Sequence, residues 1–319
     1  MNQGTLASRH SESLVKVGRT RAARVSQMSQ SRYIIITPAH NEEAFIAKTA
    51  ESVIAQTIRP SKWVVVNDAS QDRTREILEG FAREHRFIEL VNLERAAGRH
   101  FGNKVRAFNA GMERVKGLQF DFIGNLDADI SFEPKYFENV LNQFATDSKL
   151  GLAGGMVHSF TDGEYVSQEV ALDSVAGAVQ LFRRECFERV GGYRPLPNGG
   201  IDAAAEIAAR MYGWTTRTFA EFPVKEHRLT GSATARPLAS RVKEGRRMHS
   251  LGYGLLFFLF RCLYRSLTKP VILGSGAALY GYIASAFSRS PVALPPDVVR
   301  FLRNEQHGKL MRAFGLKTN

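Results

Sequence analysis

The sequence predicts an α/β fold: a Rossmann-like sheet with helices on both faces, followed by an amphipathic helical extension. Short β-branched runs alternate with segments of helical apolar spacing as far as Leu126. Clusters of polar residues follow the strand ends, where such sheets bind ligands. The last third then changes character and becomes basic and aromatic.

The elements follow in order. Tyr33-Ile34-Ile35-Ile36 is a β-branched run stopped by Pro38, which reads as a buried strand. Glu42 to Ile58 carries Ile46, Ala50, Val53 and Ile54 at helical spacing. Trp63-Val64-Val65-Val66 is a second strand, ending in Asn67-Asp68-Ala69-Ser70. Asp72 to Arg83 reads as a helix, Phe87 to Val91 as a third strand, Lys104 to Val115 as a helix and Phe120 to Leu126 as a fourth strand. Strand–helix alternation of this kind implies right-handed parallel βαβ units. Beyond Asp129 it loosens: Gly151 to Val157 reads as a strand and Ile201 to Trp214 as a helix of small residues.

The 319-residue chain is 44% hydrophobic, enough to build a core, which excludes a disordered chain. Its two cysteines, Cys186 and Cys262, are far apart, which excludes a disulfide framework and favours a reducing cytosol. Residues 1–30 lack an apolar segment and read as a disordered basic lead-in rather than a secretory signal. Residues 225–319 hold 16 of the 43 Lys and Arg but 4 of the 31 Asp and Glu, so the whole net charge of +12 lies there. Such a surface suits anionic lipid headgroups or nucleic acid.

Within that third, Leu255-Leu256-Phe257-Phe258-Leu259-Phe260 is bracketed by Arg246, Arg247, Arg261 and Arg265. Residues 270–288 carry no charge, but their glycines and serines keep hydropathy low. A pair of helices capping the core is the simpler reading. An amphipathic element lying on a membrane is the preferred one, ahead of a single span at 270–288, with lipid rather than nucleic acid as partner.

Asp127 and Asp129 lie two apart, so in extended backbone both carboxylates project to one side and could hold Mg²⁺ or Mn²⁺. An Asp-rich turn would look the same. Asp68 could accept hydrogen bonds from a base or ribose, or serve a turn before the next helix. Lys104, with Arg99 and Arg106 nearby, could offset phosphate charge, although Arg106 reads as a solvated helix residue. Asp202 follows Gly199-Gly200 and could cap a helix or act as a general base, with Glu206 a spare carboxylate one turn later. His227 could be structural or touch a metal or pyrophosphate.

Together these residues resemble the family 2 glycosyltransferases, enzymes of the GT-A fold with a Rossmann-like mixed sheet. The resemblance runs from about Arg32 to about His227 and more loosely to Tyr282. Ile36-Thr37-Pro38-Ala39-His40-Asn41-Glu42-Glu43 is similar to the family's opening strand and loop, with His40 where tyrosine is more usual. Val64 to Thr74 is similar to its second motif, with Asn67 in place of the first of two aspartates. Lys104, Ala107, Asn109 and Gly111 match its phosphate-side helix, Leu126-Asp127-Ala128-Asp129 its metal motif, and Ile201-Asp202 its catalytic Glu-Asp pair, with Ile201 replacing Glu.

The resemblance implies a domain at 31–230, and the composition beyond it reads as a basic, aromatic helical membrane-associating extension at 231–319. It implies that Pro38, Ala39, His40, Glu42 and Asp68 surround the nucleotide, that Lys104 lies by the phosphates, and that Asp127 touches the ribose. Asp129 and His227 would serve Mg²⁺ or Mn²⁺, and Asp202 would be the base. The implied reaction is inverting transfer from a nucleoside-diphosphate sugar to a glycan or lipid-linked acceptor, by a protein peripheral to the inner face of the cell membrane. A sugar nucleotidyltransferase would show a Gly-rich basic loop after the first strand, where this chain has Pro38 to Glu43. A non-catalytic sugar-nucleotide or membrane-binding module would survive loss of Asp202 without change.

Overall fold

The structure is a computed structural model and describes residues 32–94, 102–161, 163–168, 171–228, 237–268 and 272–316. The expected lead-in at 1–30, Arg99 and the 230/231 boundary lie outside the described residues.

Four strands open one sheet: β1 (Tyr33–Ala39), β2 (Lys62–Asp68), β3 (Ile88–Leu93) and β4 (Phe122–Leu126). They are parallel, in the order β3-β2-β1-β4. Between them run α1 (Ile46–Ile54), α2 (Thr74–Glu84) and α3 (Gly102–Arg114). Glu42 to Phe45, expected in the first helix, instead form a turn whose Glu42 carbonyl accepts from Phe45 N and Ile46 N. The alternation of side chains along β1 and β2 serves both faces. Tyr33, Ile35, Trp63 and Val65 pack on one, with Ile46, Ala50, Val53 and Leu78. Ile34, Ile36, Val64 and Val66 pack on the other, with Val105 and Phe108 of α3.

The sheet is mixed. After β4 the chain adds β5 (Ile130–Phe132), α4 (Tyr136–Thr146), β6 (Leu150–Thr161), β7 (Glu164–Ser167), β8 (Val179–Arg183), α5 (Arg184–Val190), α6 (Ile201–Met211) and β9 (Thr215–Glu226). Strand β8 pairs antiparallel with β4 and with β6, and β6 pairs parallel with β9. The order continues β4-β8-β6-β9-β5, with β7 on β6. Pairing of β6 with β9 shifts register between Gly155 and Met156, and Pro223, which cannot donate to the ladder, lies just beyond that shift.

The basic third is helical: α7 (Pro237–Ser250), α8 (Leu255–Thr268), α9 (Ile272–Phe287) and α10 (Pro296–Ala313). These helices cap the sheet domain through a third apolar cluster. Leu196, Ala204 and Ile207 meet Met248, Leu251, Phe258, Cys262, Ala278, Tyr282, Val298 and Leu302 there. Helices α7 and α9 approach backbone to backbone. A Cβ at Gly245 would lie 1.9 Å from Ala278 O, and one at Gly281 would lie 2.1 Å from Val242 O. The opposite side is apolar and exposed: Leu256, Leu263 and Tyr264 on α8, Ile272, Leu273 and Phe287 on α9. No helix of the described residues is long and apolar enough to cross a membrane.

Candidate active site

The loops after β1 and β2 are stitched together at the sheet's C-terminal edge. Asn41 N donates to Ser70 Oγ (3.0 Å), Gln71 N to Asn41 Oδ1 (2.8 Å), and Glu42 N to Thr74 Oγ1 (2.7 Å). His40 Nδ1 donates to Asp68 O at 2.6 Å, which sets its tautomer. Asn41 and Ala69 hold φ of 55° and 53°, a region that non-glycine residues seldom occupy and that recurs at functional loops. Pro38 and Ala39 are in the last residues of β1, and Ala39 registers with Asn67. Asp68 forms an ion pair with Arg106 of α3. Arg106 is therefore not the solvated helix residue the sequence suggested.

Asp127, Ala128 and Asp129 fill the turn from β4 to β5 rather than an extended segment, and the two carboxylates take different partners. Lys104 Nζ donates to Asp127 Oδ1 at 2.5 Å. Arg228 Nε donates to Asp129 Oδ2 at 3.1 Å, and the same guanidinium pairs with Glu42 and stands over the ring of Phe45. The sequence reading missed Arg228 altogether, though it directly follows His227. His227 N donates to Asp129 O (2.8 Å), but its ring is engaged elsewhere: Nε2 with Ser131 Oγ (2.8 Å) and Nδ1 with Tyr165 OH (2.7 Å). Burial, with Lys48 and Lys225 nearby, lowers the imidazole pKa.

Asp202 sits in the first turn of α6, but the N-cap is Gly200, without a side-chain cap bond. Among the described residues Asp202 makes no hydrogen bond to the helix start, so the capping explanation does not account for it. Its carboxylate lies in a cavity of about 540 Å³ that Lys104, Asn125, Asp127, Gly177, Glu226 and Arg247 also line. Asn125 Nδ2 donates to Gly177 O at 2.7 Å, while its buried Oδ1 has no partner among the described residues. Glu206 is no spare carboxylate. It is buried, paired with Arg210, and accepts from Ser174 Oγ (3.0 Å) and Val175 N (2.9 Å). Arg210 then reaches Glu305 of α10 at 2.8 Å.

The structure thus brings Lys104, Asp127 and Asp202 to one cavity, and joins Glu42 to Asp129 beside it through Arg228. His40 and Asp68 belong to the loop pair at the edge, and the His227 ring turns to Ser131 and Tyr165. Negative charge dominates. Burial raises Glu42 to a pKa of about 7, against the bond and charge of Arg228 and with the repulsion of Asp129 and Asp127. Burial likewise raises Asp127, opposed by Lys104 and reinforced by Asp129 and Asp202. Burial raises Asp129 too, opposed by its bond from Arg228 and reinforced by Glu226.

A divalent cation would relieve that crowding, so the donor chemistry fits one. Among the described residues no three His, Cys, Asp or Glu side chains are grouped to hold an ion by themselves. The fit is to a cation held by one or two carboxylates and completed by substrate phosphates.

Comparisons with known proteins agree with this architecture. The sequence model of Glycosyl transferase family 2 matches residues 34–191. Glycosyltransferase AglE of Haloferax volcanii is 28% identical over 230 residues, 66% of this chain and 69% of that protein. Poly-beta-1,6-N-acetyl-D-glucosamine synthase of Staphylococcus epidermidis is 25% identical over 171 residues, 48% of this chain and 39% of that protein. The chain thus spans well under half of the synthase. The mannosyltransferase PcManGT from Pyrobaculum calidifontis, solved with GDP-Man and Mn²⁺, superposes with a TM-score of 0.52 at 17% identity, covering 90% of this chain and 84% of that one. S. aureus TarS 1–349 with UDP-GlcNAc gives 0.51 at 15% identity, covering 88% and 81%. These two likenesses show a shared GT-A fold. With the family match running from the first strand to the end of α5, the chain belongs to the family 2 glycosyltransferases.

Proposed function

We propose that this glycosyltransferase moves a sugar from a nucleoside-diphosphate sugar to an acceptor hydroxyl with inversion, and that Asp202 is the general base. The observation that carries this is the single cavity lined by Asp202, Lys104 and Asp127. A carboxylate there with no hydrogen bond or ion pair among the described residues can take the acceptor proton as the acceptor oxygen attacks the anomeric carbon. Pro38, Ala39, His40, Glu42 and Asp68, at the ends of β1 and β2, line the place for the nucleotide, with Asp127 toward the ribose. Lys104 lies where a cation would meet diphosphate charge. Asp129 is the carboxylate for Mg²⁺ or Mn²⁺. His227 would join it only by giving up a bond to Ser131 or Tyr165. A bound cation would neutralise the charge that collects on the departing diphosphate.

The acceptor in this reading is a glycan or lipid-linked molecule met at an anionic membrane surface. Support comes from the exposed apolar side chains of α8 and α9, where Leu273 is 78% and Phe287 86% exposed, and from the net positive charge of residues 225–319. The test is a screen of nucleotide sugars with Mn²⁺, read by thermal shift and by nucleoside diphosphate released. One donor should raise Tm and release its diphosphate when acceptor is supplied. No shift with any donor would overturn the reading.

A further inference from the structure

Residues 172–178, between β7 and β8, belong to no helix or strand, yet they meet both carboxylates of the cavity. Asp127 N donates to Ala178 O at 2.9 Å, and Gly177 lies against the Asp202 carboxylate. Where Asp202 stands relative to Asp127 therefore depends on how this segment is held.

It is held from three sides. From β9, Thr218 N donates to Leu172 O at 2.8 Å and Thr216 Oγ1 to Asp173 O at 2.6 Å. From β4 and β8, Asn125 Nδ2 donates to Gly177 O at 2.7 Å and Gln180 Nε2 to Val175 O at 3.1 Å. From α6 comes one side chain, Glu206, whose Oε2 accepts from Ser174 Oγ and from Val175 N. Glu206 follows Asp202 by one turn, so the helix that carries the base also grips the wall beside it.

Glu206 is 5% exposed, and a carboxylate at that depth needs a charged partner. Arg210, one turn further along α6, supplies it. The same guanidinium takes Glu305 of α10 with two bonds, Nε to Oε1 at 2.8 Å and Nη2 to Oε2 at 3.1 Å, the fork geometry that fixes direction as well as distance. Lys309, one turn on along α10, donates to Asp173 Oδ2 at 2.7 Å. Helix α10 thus reaches the segment directly and through Arg210 and Glu206. Buried ion pairs stabilise little compared with apolar residues of the same volume. What this one does supply is a fixed spacing between α6 and the segment.

We propose that Glu206 is a positioning residue for Asp202: it holds the 174–177 wall that fixes the base in the cavity, and Glu305 holds Glu206 in turn through Arg210. The inference rests on the reading of Asp202 as the base. It brings into the transfer machinery three side chains that lie outside the family match at 34–191, one of them on a C-terminal helix.

The test compares wild type, Glu206→Ala, Glu206→Gln, Glu305→Ala, Asp202→Asn and Asp202→Asn with Glu206→Ala. Amide hydrogen exchange of residues 172–178 is measured without substrate. Diphosphate release is measured with Mn²⁺ and the nucleotide sugar that the screen selects, to water and to octyl glucoside. Glu206→Ala should speed exchange of the segment, leave β1 and β2 as in wild type, and lower kcat by about tenfold at unchanged KM for the donor. Glu206→Gln, which keeps an acceptor oxygen, should recover part of the loss. Glu305→Ala, whose carboxylate is 20% exposed and whose loss the fold should tolerate, should also speed exchange of the segment and lower kcat by about threefold. On the Asp202→Asn background Glu206→Ala should cost nothing further, since a base that is gone cannot be misplaced. Wild-type exchange or wild-type kcat in Glu206→Ala or in Glu305→Ala would overturn the proposal. A full second loss on the Asp202→Asn background would overturn it too, by showing that Glu206 does not act through Asp202. Failure of the underlying reading shows separately, as Asp202→Asn releasing diphosphate at the wild-type rate.

Discussion

Oδ2 of Asp202 lies 2.6 Å from where a Cβ on residue 177 would stand, so Gly177 is the wall against which the proposed base rests. Asn125 of β4 grips that wall by donating to Gly177 O. The sheet therefore sets the position of Asp202 through one glycine. Gly177→Ala should push the carboxylate aside and lower kcat by about 100-fold, since displacement by about 1 Å is enough for that. Nucleotide affinity should hold, because the affected wall is on the acceptor side. Parallel kinetics and UDP or GDP titrations check this, and wild-type kcat in Gly177→Ala would contradict it.

Helices α7 and α9 depend on a similar closeness. A side chain at Gly245 would run into the carbonyl of Ala278, which is backbone and cannot step aside. Gly245→Val should destabilise the chain by about 2 kcal/mol or more. Urea unfolding measures this, and an unchanged midpoint would show that the helices are not packed as described.

A four-residue charge cluster ties α7 to α8. Glu244 accepts from Arg241 and Arg265 at 2.8 Å each, with Arg261 at 3.9 Å. Burial pushes its pKa up, but the bond from Arg241 and the charges of Arg265, Arg241 and Arg261 outweigh it, so the net shift is downward. A carboxylate with a lowered folded pKa adds stability above its unfolded value and loses it as pH falls through the folded one. Glu244→Gln should therefore be less stable than wild type at pH 7, and the gap should close in acid below the usual carboxylate range. Denaturation of both proteins at pH 7 and pH 3 tests the sign.

The thiols should be silent. Burial pushes Cys186 up to about 12, against a smaller pull from Arg183, and burial with Glu244 nearby raises Cys262. Thiolates are the reactive form. Native protein at pH 8 should label slowly with a thiol reagent, and unfolded protein should label at both sites at once. Fast labelling of the native chain would contradict the burial.

The opening strands were legible because Tyr33 to Ile36 and Trp63 to Val66 are contiguous runs buried on both faces, which leave one reading open. The mixed half was not. Strand β8 lies in sequence beside α5, yet it pairs with β4 and β6, and nothing local in Val179–Arg183 says so. The carboxylates of the site stood out by motif, whereas their partners did not. Arg106 and Arg247 look like ordinary helix-surface cations until the fold sets one beside Asp68 and the other on Gly200. Glu206 looked free because Arg210 and Ser174 meet it only in three dimensions. A glycine such as Gly177 carries no chemical label, and only the approach of Asp202 shows what it does.

In the proposed reaction Asp202 takes the acceptor proton in the cavity it shares with Lys104 and Asp127. The direct measurement compares wild type with Asp202→Asn for nucleoside diphosphate released in the presence of acceptor, alongside affinity for the same nucleotide. Transfer should fall by about 1000-fold, within the usual range for a general base, with nucleotide affinity unchanged. Transfer at the wild-type rate by Asp202→Asn would contradict it.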